Sequence, residues 1–312
     1  MMSPGLGTWK IPNETTAGVV EMALRMGYRH LDCAADYGNE QEVGEGMKAA
    51  FDAGVVRRDD VFVTSKLWNT DHRPEHVRGA CEKSLRDLGL EELDLYLIHF
   101  PISLAHVPAT ERYPAGWFRN DRDTEMTVDF VPYLETWAAM EELVEAGLVK
   151  SIGVSNIGTA MLREVLGAAR VKPANLQVEL HPFLTQDKLV RFCQENDVSV
   201  TAFSPFGADS YLSLGMAEES ERLLDHSVVT SVAQEVGKTP GQVLLRWASQ
   251  RGTVPIPKSQ SEAHLRENLA SQDFDLNDQQ MAAIFGLNCG RRFNDPGEFC
   301  EQAFGTFFPV YD

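Results

Sequence analysis

A carboxylate, a phenol, an ammonium and an imidazole stand out in the first third of the chain because each falls at the end of an apolar run. "HLDCAADYGNE" brings Asp32, Asp36 and Tyr37 together, "VTSKLW" carries Lys66 out of a second run, and "YLIHF" delivers His99 from a third. A phenol, with an ordinary pKa of about 10, is a weak acid at neutral pH, but an adjacent ammonium favours its ionised form and a buried carboxylate holds that ammonium in place. Asp32, Lys66 and Tyr37 supply these three parts. Tyr37 is therefore predicted to give a proton to a substrate oxygen, with Lys66 lowering its pKa. His99 can hydrogen-bond the same oxygen and share its developing negative charge. Together they suit the reduction of a carbonyl, which requires a hydride donor. The histidines show neither H-x-x-x-H nor H-E-x-x-H spacing, so no metal is expected.

Groups of this kind need elements that end at a common rim. Short apolar runs alternate with amphipathic stretches along the chain: residues 5–9, 28–34, 61–67, 93–100, 150–156, 175–181, 198–205 and 253–259. The stretches between them read as helices. "TAGVVEMALRMG" stops at Gly27, "EVGEGMKAAFDAG" at Gly54, and "PYLETWAAMEELVEAG" is expected to start with Pro132 at its first helical position and to stop at Gly147. Eight strands, each followed by a helix, predict an α/β chain folded as a (β/α)8 TIM barrel, whose reactive groups collect at the C-terminal ends of the strands. An open doubly wound sheet would want G-x-G-x-x-G after its first strand, and "GLGTWK" lacks the third glycine. Residues 1–312 show no linker, repeat or change of composition and are read as one domain.

Of 312 residues, 43% are hydrophobic and 24% charged, enough to bury a large core. The net charge of -18 repels nucleic-acid phosphates and anionic membranes and points to small-molecule partners. Five cysteines without a C-x-x-C pair argue against a disulfide framework. With no leader-like N-terminus and no apolar run long enough to span a bilayer, a cytoplasmic location is expected.

The quoted segments, with "SKLW", "LDLYLIHFP", "IGVSN", "QVELHP" and "IPKS", run in one order along the chain, which thereby resembles the aldo-keto reductases across residues 5–300. The resemblance implies an NAD(P)H-dependent reductase using NADP(H), with NAD(H) as a second cofactor left open. Tyr37 would be its proton donor, Asp32 and Lys66 the pair that tunes it, and His99 the carbonyl-orienting group. It further implies that Ser155, Asn156 and Gln177 hold the nicotinamide carboxamide and that the ring stacks on Phe203, where tyrosine is more usual. Ser204, Phe206, Lys258, Ser259, Gln260, His264, Glu267 and Asn268 would complete the cofactor site. Within the family, "YPAGWF", "SPFGADSYLSL" and "RRFNDP" are similar to segments of the xylose reductases. That likeness implies an open-chain aldose whose hydroxyls meet Asp36 and Asn294, between apolar walls formed by Trp9, Phe100 and Trp117.

Two departures from the family pattern bear on these expectations. The chain begins at the first barrel strand, without the hairpin that usually precedes it. His264 stands where an arginine commonly meets the 2′-phosphate, with Arg266 two positions on, which leaves the choice between NADPH and NADH open. A sugar-phosphate reductase is the second reading, since "CAADY" and "KLWNTDH" echo the mannose-6-phosphate reductases. Gly38 after Tyr37 supplies no cation for such a phosphate. A non-enzymatic, redox-sensing subunit on the same barrel is the third. As an enzyme the chain is expected to act as a monomer or homodimer.

Overall fold

In the computed structural model, which describes residues 3–118, 126–305 and 308–311, eight strands follow one another around a single parallel sheet. They are β1 (Leu6–Gly7), β2 (His30–Asp32), β3 (Phe62–Leu67), β4 (Leu95–Ile98), β5 (Ile152–Ser155), β6 (Asn175–Glu179), β7 (Ser199–Phe203) and β8 (Thr253–Pro255). Each pairs with the next in sequence, and Gly5 and Gly7 close the ring by donating their N–H groups to the carbonyls of Pro255 and Pro257 at 3.0 and 3.1 Å. The seam is tight. A Cβ on Gly7 would lie 2.8 Å from the Ile256 carbonyl oxygen, so only glycine lets the first and last strands approach this closely.

Helices pack around the outside: α1 (Asn13–Met26), α2 (Glu40–Asp52), α3 (Pro74–Leu88), α4 (Tyr133–Glu145), α5 (Thr159–Ala168), α6 (Asp187–Glu195), α7 (Ser227–Val236), α8 (Pro240–Gln250), α9 (Glu262–Leu269) and α10 (Asp278–Phe285), then the short α11 (Pro296–Phe299) and α12 (Glu301–Phe304). The main core lies between sheet and helices, with Trp137 of α4 and Trp247 of α8 buried in it. Connections before the helices are short except after β4 and β7. The described parts of those two long segments and of the chain beyond α10 gather above the strand ends. There Trp68, Phe100, Leu104, Met126, Cys300 and Phe304 form a separate small core. Among the described residues, no helix is long and apolar enough to cross a membrane.

Three sequence expectations are corrected in detail. Pro132 is the cap before α4 rather than its first residue: its ψ of 128° is not helical, and its carbonyl accepts from Glu135 at 2.9 Å. The first strand is only two residues long, because the chain turns at Thr8–Ile11, where Lys10 takes a φ of 61°. Trp9 thus leaves the sheet for the rim. The last strand stops at Pro255, since Pro257 has no N–H with which to continue the ladder.

Candidate active site

Asp32 ends β2, Lys66 lies one residue from the end of β3, and His99 follows β4, so the three side chains emerge at the same end of the barrel. Tyr37 reaches them from a single tight turn, Ala35–Tyr37, that Gly38 terminates at a φ of 69°. Lys66 and Asp32 form an ion pair at 2.5 Å with side chains 0% and 1% exposed. Burying two charges is unfavourable unless every donor and acceptor finds a partner. Here they do. The Lys66 ammonium has three N–H donors, and they go to Asp32 Oδ1, to the Cys33 carbonyl at 2.8 Å and to the Tyr37 hydroxyl oxygen at 3.0 Å. The other Asp32 oxygen accepts from Gln177 Nε2 at 2.6 Å across the barrel.

Because the Tyr37 oxygen accepts from Lys66, its own O–H is left to donate into the cavity. Its acidity differs from the sequence expectation. Burial raises the phenol to about 12, outweighing the lowering by Lys66, with Asp32 adding to the rise. Tyr37 therefore holds its proton throughout the physiological range, and the Lys66 ammonium sits where it would stabilise a phenolate. His99 is pushed well below its ordinary range by burial and then by the nearby Lys66 and His72, so the imidazole is neutral and offers an N–H without competing as an acid. Its ring lies 5.8 Å from that of Tyr37, meets Trp68 edge-on at 5.2 Å and stacks on Phe100 at 5.0 Å.

These groups open into a cavity of about 470 Å³, within the range of small-molecule sites. Asp32, Asp36, Tyr37, His99, Phe100 and Trp117 line it, as do Asn156, Gln177, Phe203, Ser204, Phe206, Lys258, Asn294 and Trp9. Asp36 is half-buried, and burial lifts its carboxyl to about 7 against the lowering effects of the Gly116 N–H and of Arg112. Asn294 is fixed through its backbone, whose N–H donates to Glu179 at 2.8 Å.

A dinucleotide cofactor, implied by the chemistry, finds a matching donor set. Asn156, held at a φ of 60°, lines the cavity beside Gln177, one of whose amide donors is committed to Asp32, while Ser155 is buried behind them, its hydroxyl donating to the Gln177 carbonyl and accepting from Asn156 Nδ2. Lys10 and Lys258 both face the cavity, and Lys10 is lowered by burial and by the neighbouring Lys258. Two ammonium groups converging in a chain of net charge -18 suit the phosphates of such a molecule. The remaining expected cofactor residues lie outside this cavity, just before and along α9. Ser259 is buried and accepts from the Ser261 N–H at 3.1 Å; Gln260 accepts from Thr15 at 3.1 Å; His264 is exposed on the first turn of α9, which Ser261 caps. Glu267 bonds Thr239 and Asn268 bonds Tyr28, so both also serve packing between helices. Arg266 is paired with Glu262 at 2.8 Å.

Sequence reasoning assigned no role to Trp68, Lys10, Tyr211 or Phe299, all of which line the cavity. Trp68 stood in plain view after "SKL", but its contact with His99 depends on the fold. Tyr211 shares a hydrogen bond of 2.8 Å with Ser204 and packs its ring 6.0 Å from Trp9.

Residues 1–288 match the aldo/keto reductase family. The chain is 49% identical over 294 residues to the NAD(P)H-dependent D-xylose reductase of Pachysolen tannophilus, covering 94% of this chain and 92% of that one. It is 45% identical over 310 residues to the NADPH-dependent aldose reductase of Saccharomyces cerevisiae, covering 97% and 95%. The solved aldose reductase of Giardia lamblia superposes with a TM-score of 0.86 at 36% identity, over 99% of this chain and 98% of that one.

Proposed function

Starting from a chain that belongs to the aldo/keto reductase family, we propose that it reduces the aldehyde of an open-chain aldose of the xylose type to the alditol, with NADPH or NADH as reductant. The cofactor supplies the hydride. The observation that carries the reading is the closed set of bonds around Lys66, which turns the Tyr37 O–H outward as the proton donor and keeps a positive charge 3.0 Å from the oxygen that becomes phenolate. His99, neutral and packed between Trp68 and Phe100, orients the carbonyl by donating a hydrogen bond. Walls of Trp9, Phe100 and Trp117 exclude water, while Asp36 and Asn294 meet the sugar hydroxyls. Ser155, Asn156 and Gln177 hold the nicotinamide amide, Phe203 backs the ring, Ser204 and Phe206 extend that wall, and Lys258, Ser259, Gln260, His264, Glu267 and Asn268 receive the adenosine end.

We assign residues 1–312 to one domain, acting as a monomer or homodimer in the cytoplasm, where its five free cysteines would stay reduced. Loss of NADPH absorbance with D-xylose, arabinose, mannose 6-phosphate and a simple aromatic aldehyde tests the reading. Turnover with the neutral pentoses and little with the phosphate is expected. Efficient turnover of mannose 6-phosphate alone would overturn it in favour of a sugar-phosphate reductase, and no oxidation with any aldehyde would remove the enzyme altogether.

A further inference from the structure

Beyond α12 the described residues 308–311 bring Tyr311 back to the barrel mouth, where its hydroxyl lies 2.9 Å from Asn156 Oδ1. The direction of that bond is dictated by what surrounds the Asn156 amide. Asn156 Nδ2 donates to the His99 carbonyl at 2.9 Å and to Ser155 Oγ at 3.1 Å. The Ser155 hydroxyl has one hydrogen, and it goes to the Gln177 carbonyl at 2.8 Å, so toward Asn156 it can only accept. Rotating the amide by half a turn would set its oxygen against two acceptors. The oxygen must therefore face Tyr311, and Tyr311 must donate. Burial raises this phenol above its ordinary range, which keeps the proton on it. The Arg292 guanidinium lies 3.6 Å over the ring and holds it in place.

An amide oxygen has two lone pairs, and Tyr311 takes one. The second, polarised by the first bond, is left for a donor from within the cavity that Asn156 lines. We infer that Tyr311 is a positioning residue for the nicotinamide: through its hydroxyl it fixes Asn156 Oδ1 as an acceptor for the N–H of the carboxamide. This rests on the NAD(P)H reading above and extends it, by making a residue of the C-terminal segment part of the cofactor's recognition. That segment also carries Asn294 and Phe299, which line the substrate side of the cavity. Cofactor and substrate then share one support.

Tyr311→Phe removes the hydroxyl and keeps the ring under Arg292, so the fold should be retained, which a thermal melt checks. Dissociation constants for NADP+ and for its 3-acetylpyridine analogue, measured by calorimetric titration of wild type and variant, decide the matter. The analogue keeps the carbonyl but has a methyl group in place of the amide NH2. NADP+ is expected to bind the variant about fivefold more weakly, the scale of one neutral hydrogen bond, and the analogue less than about twofold more weakly. Equal losses on both ligands would mean that the tail acts on the structure at large. An unchanged affinity for NADP+ would mean that His99 and Ser155 hold Asn156 unaided, and tighter binding would mean that Tyr311 competes for the acceptor. Each of these overturns the inference while leaving the reductase reading intact. A wild type that binds neither dinucleotide overturns both.

Discussion

Replacing Asp36 by asparagine tests whether this carboxyl is held in an apolar setting. In the folded protein burial raises its carboxyl from 3.8 to about 7. The unfolded chain ionises this group near pH 4, so between pH 4 and 7 the unfolded state gains by releasing a proton that the folded state retains. The contribution of Asp36 to stability is thus fully present below about pH 4, declines as the pH rises, and levels off above about pH 7. A shift of about three units corresponds to about 4 kcal/mol as an upper limit. Asp36 is only half-buried, so solvent screening reduces this to about 1 to 2 kcal/mol. Asparagine, nearly the same shape and unable to ionise, lacks the decline. Thermal melts of wild type and Asp36→Asn from pH 5 to 8.5 should therefore diverge, with the variant the more stable above pH 7 by a few degrees. Parallel curves, or a variant less stable at pH 8, would show that Arg112 and the Gly116 N–H hold Asp36 as a carboxylate and that burial does not dominate.

At the reacting centre, Tyr37→Phe should leave dinucleotide binding intact and lower kcat by about a hundredfold or more, since it deletes the proton donor alone; a loss of only two- or threefold, measured at saturating substrate, would refute the assignment. His99→Ala should lower kcat/KM by about two orders of magnitude with every aldehyde, as removal of an oxyanion donor does. Asn294→Ala should weaken kcat/KM for xylose by about 1 to 3 kcal/mol while sparing an aldehyde without hydroxyls, so equal losses on both substrates would point to a structural role. His264→Arg, exposed at the start of α9 and unencumbered by the Arg266–Glu262 pair, should move the ratio of kcat/KM for NADPH over NADH toward NADPH by about 1 to 2 kcal/mol. A ratio that does not move would place the 2′-phosphate elsewhere.

How far such a site is legible in sequence depends on whether a residue acts alone or through a distant partner. Asp32, Lys66 and His99 were readable because polar side chains closing apolar strands must meet at one rim of a barrel, and eight such runs specify the barrel. Tyr37 was readable from its spacing to Asp32. Its pKa was not, because burial, which decides the sign, is a property of the packed site. The commitment of Gln177 to Asp32 joins residues 145 positions apart, and nothing local announces it. Lys10 was hidden for another reason: it faces the cavity only because the first strand is two residues long, ended by a turn with a φ of 61° that no glycine marks. Tyr311 lies in a stretch without periodicity, and only its contact with Asn156 gives it meaning.

Strand β6 shows why a proposed recognition residue such as Asn294 can be held accurately on a segment that lacks regular structure. Alternate residues of a strand share a face, and the bond from Gln177 across the barrel to Asp32 identifies Asn175, Gln177 and Glu179 as the inner row. Three adjacent buried polar side chains would be costly without partners, and each has at least one, although Asn175 Oδ1 has none among the described residues. Asn175 Nδ2 donates to Thr201 at 3.0 Å, Gln177 braces the Asp32 carboxylate, and Glu179 bonds His181 at 2.8 Å while accepting the backbone N–H groups of Phe293 and Asn294 at 3.0 and 2.8 Å. Bonds from N–H to a buried carboxylate are among the stronger in proteins, so the loop that carries Asn294 is pinned to the strand that steadies Asp32. Only one residue separates Gln177 from Glu179 along β6. Any displacement of the loop is thereby resisted by a rigid element already bonded to Asp32, and the distance between Tyr37, the proposed proton donor, and Asn294, the proposed sugar-recognition residue, is set by the barrel itself.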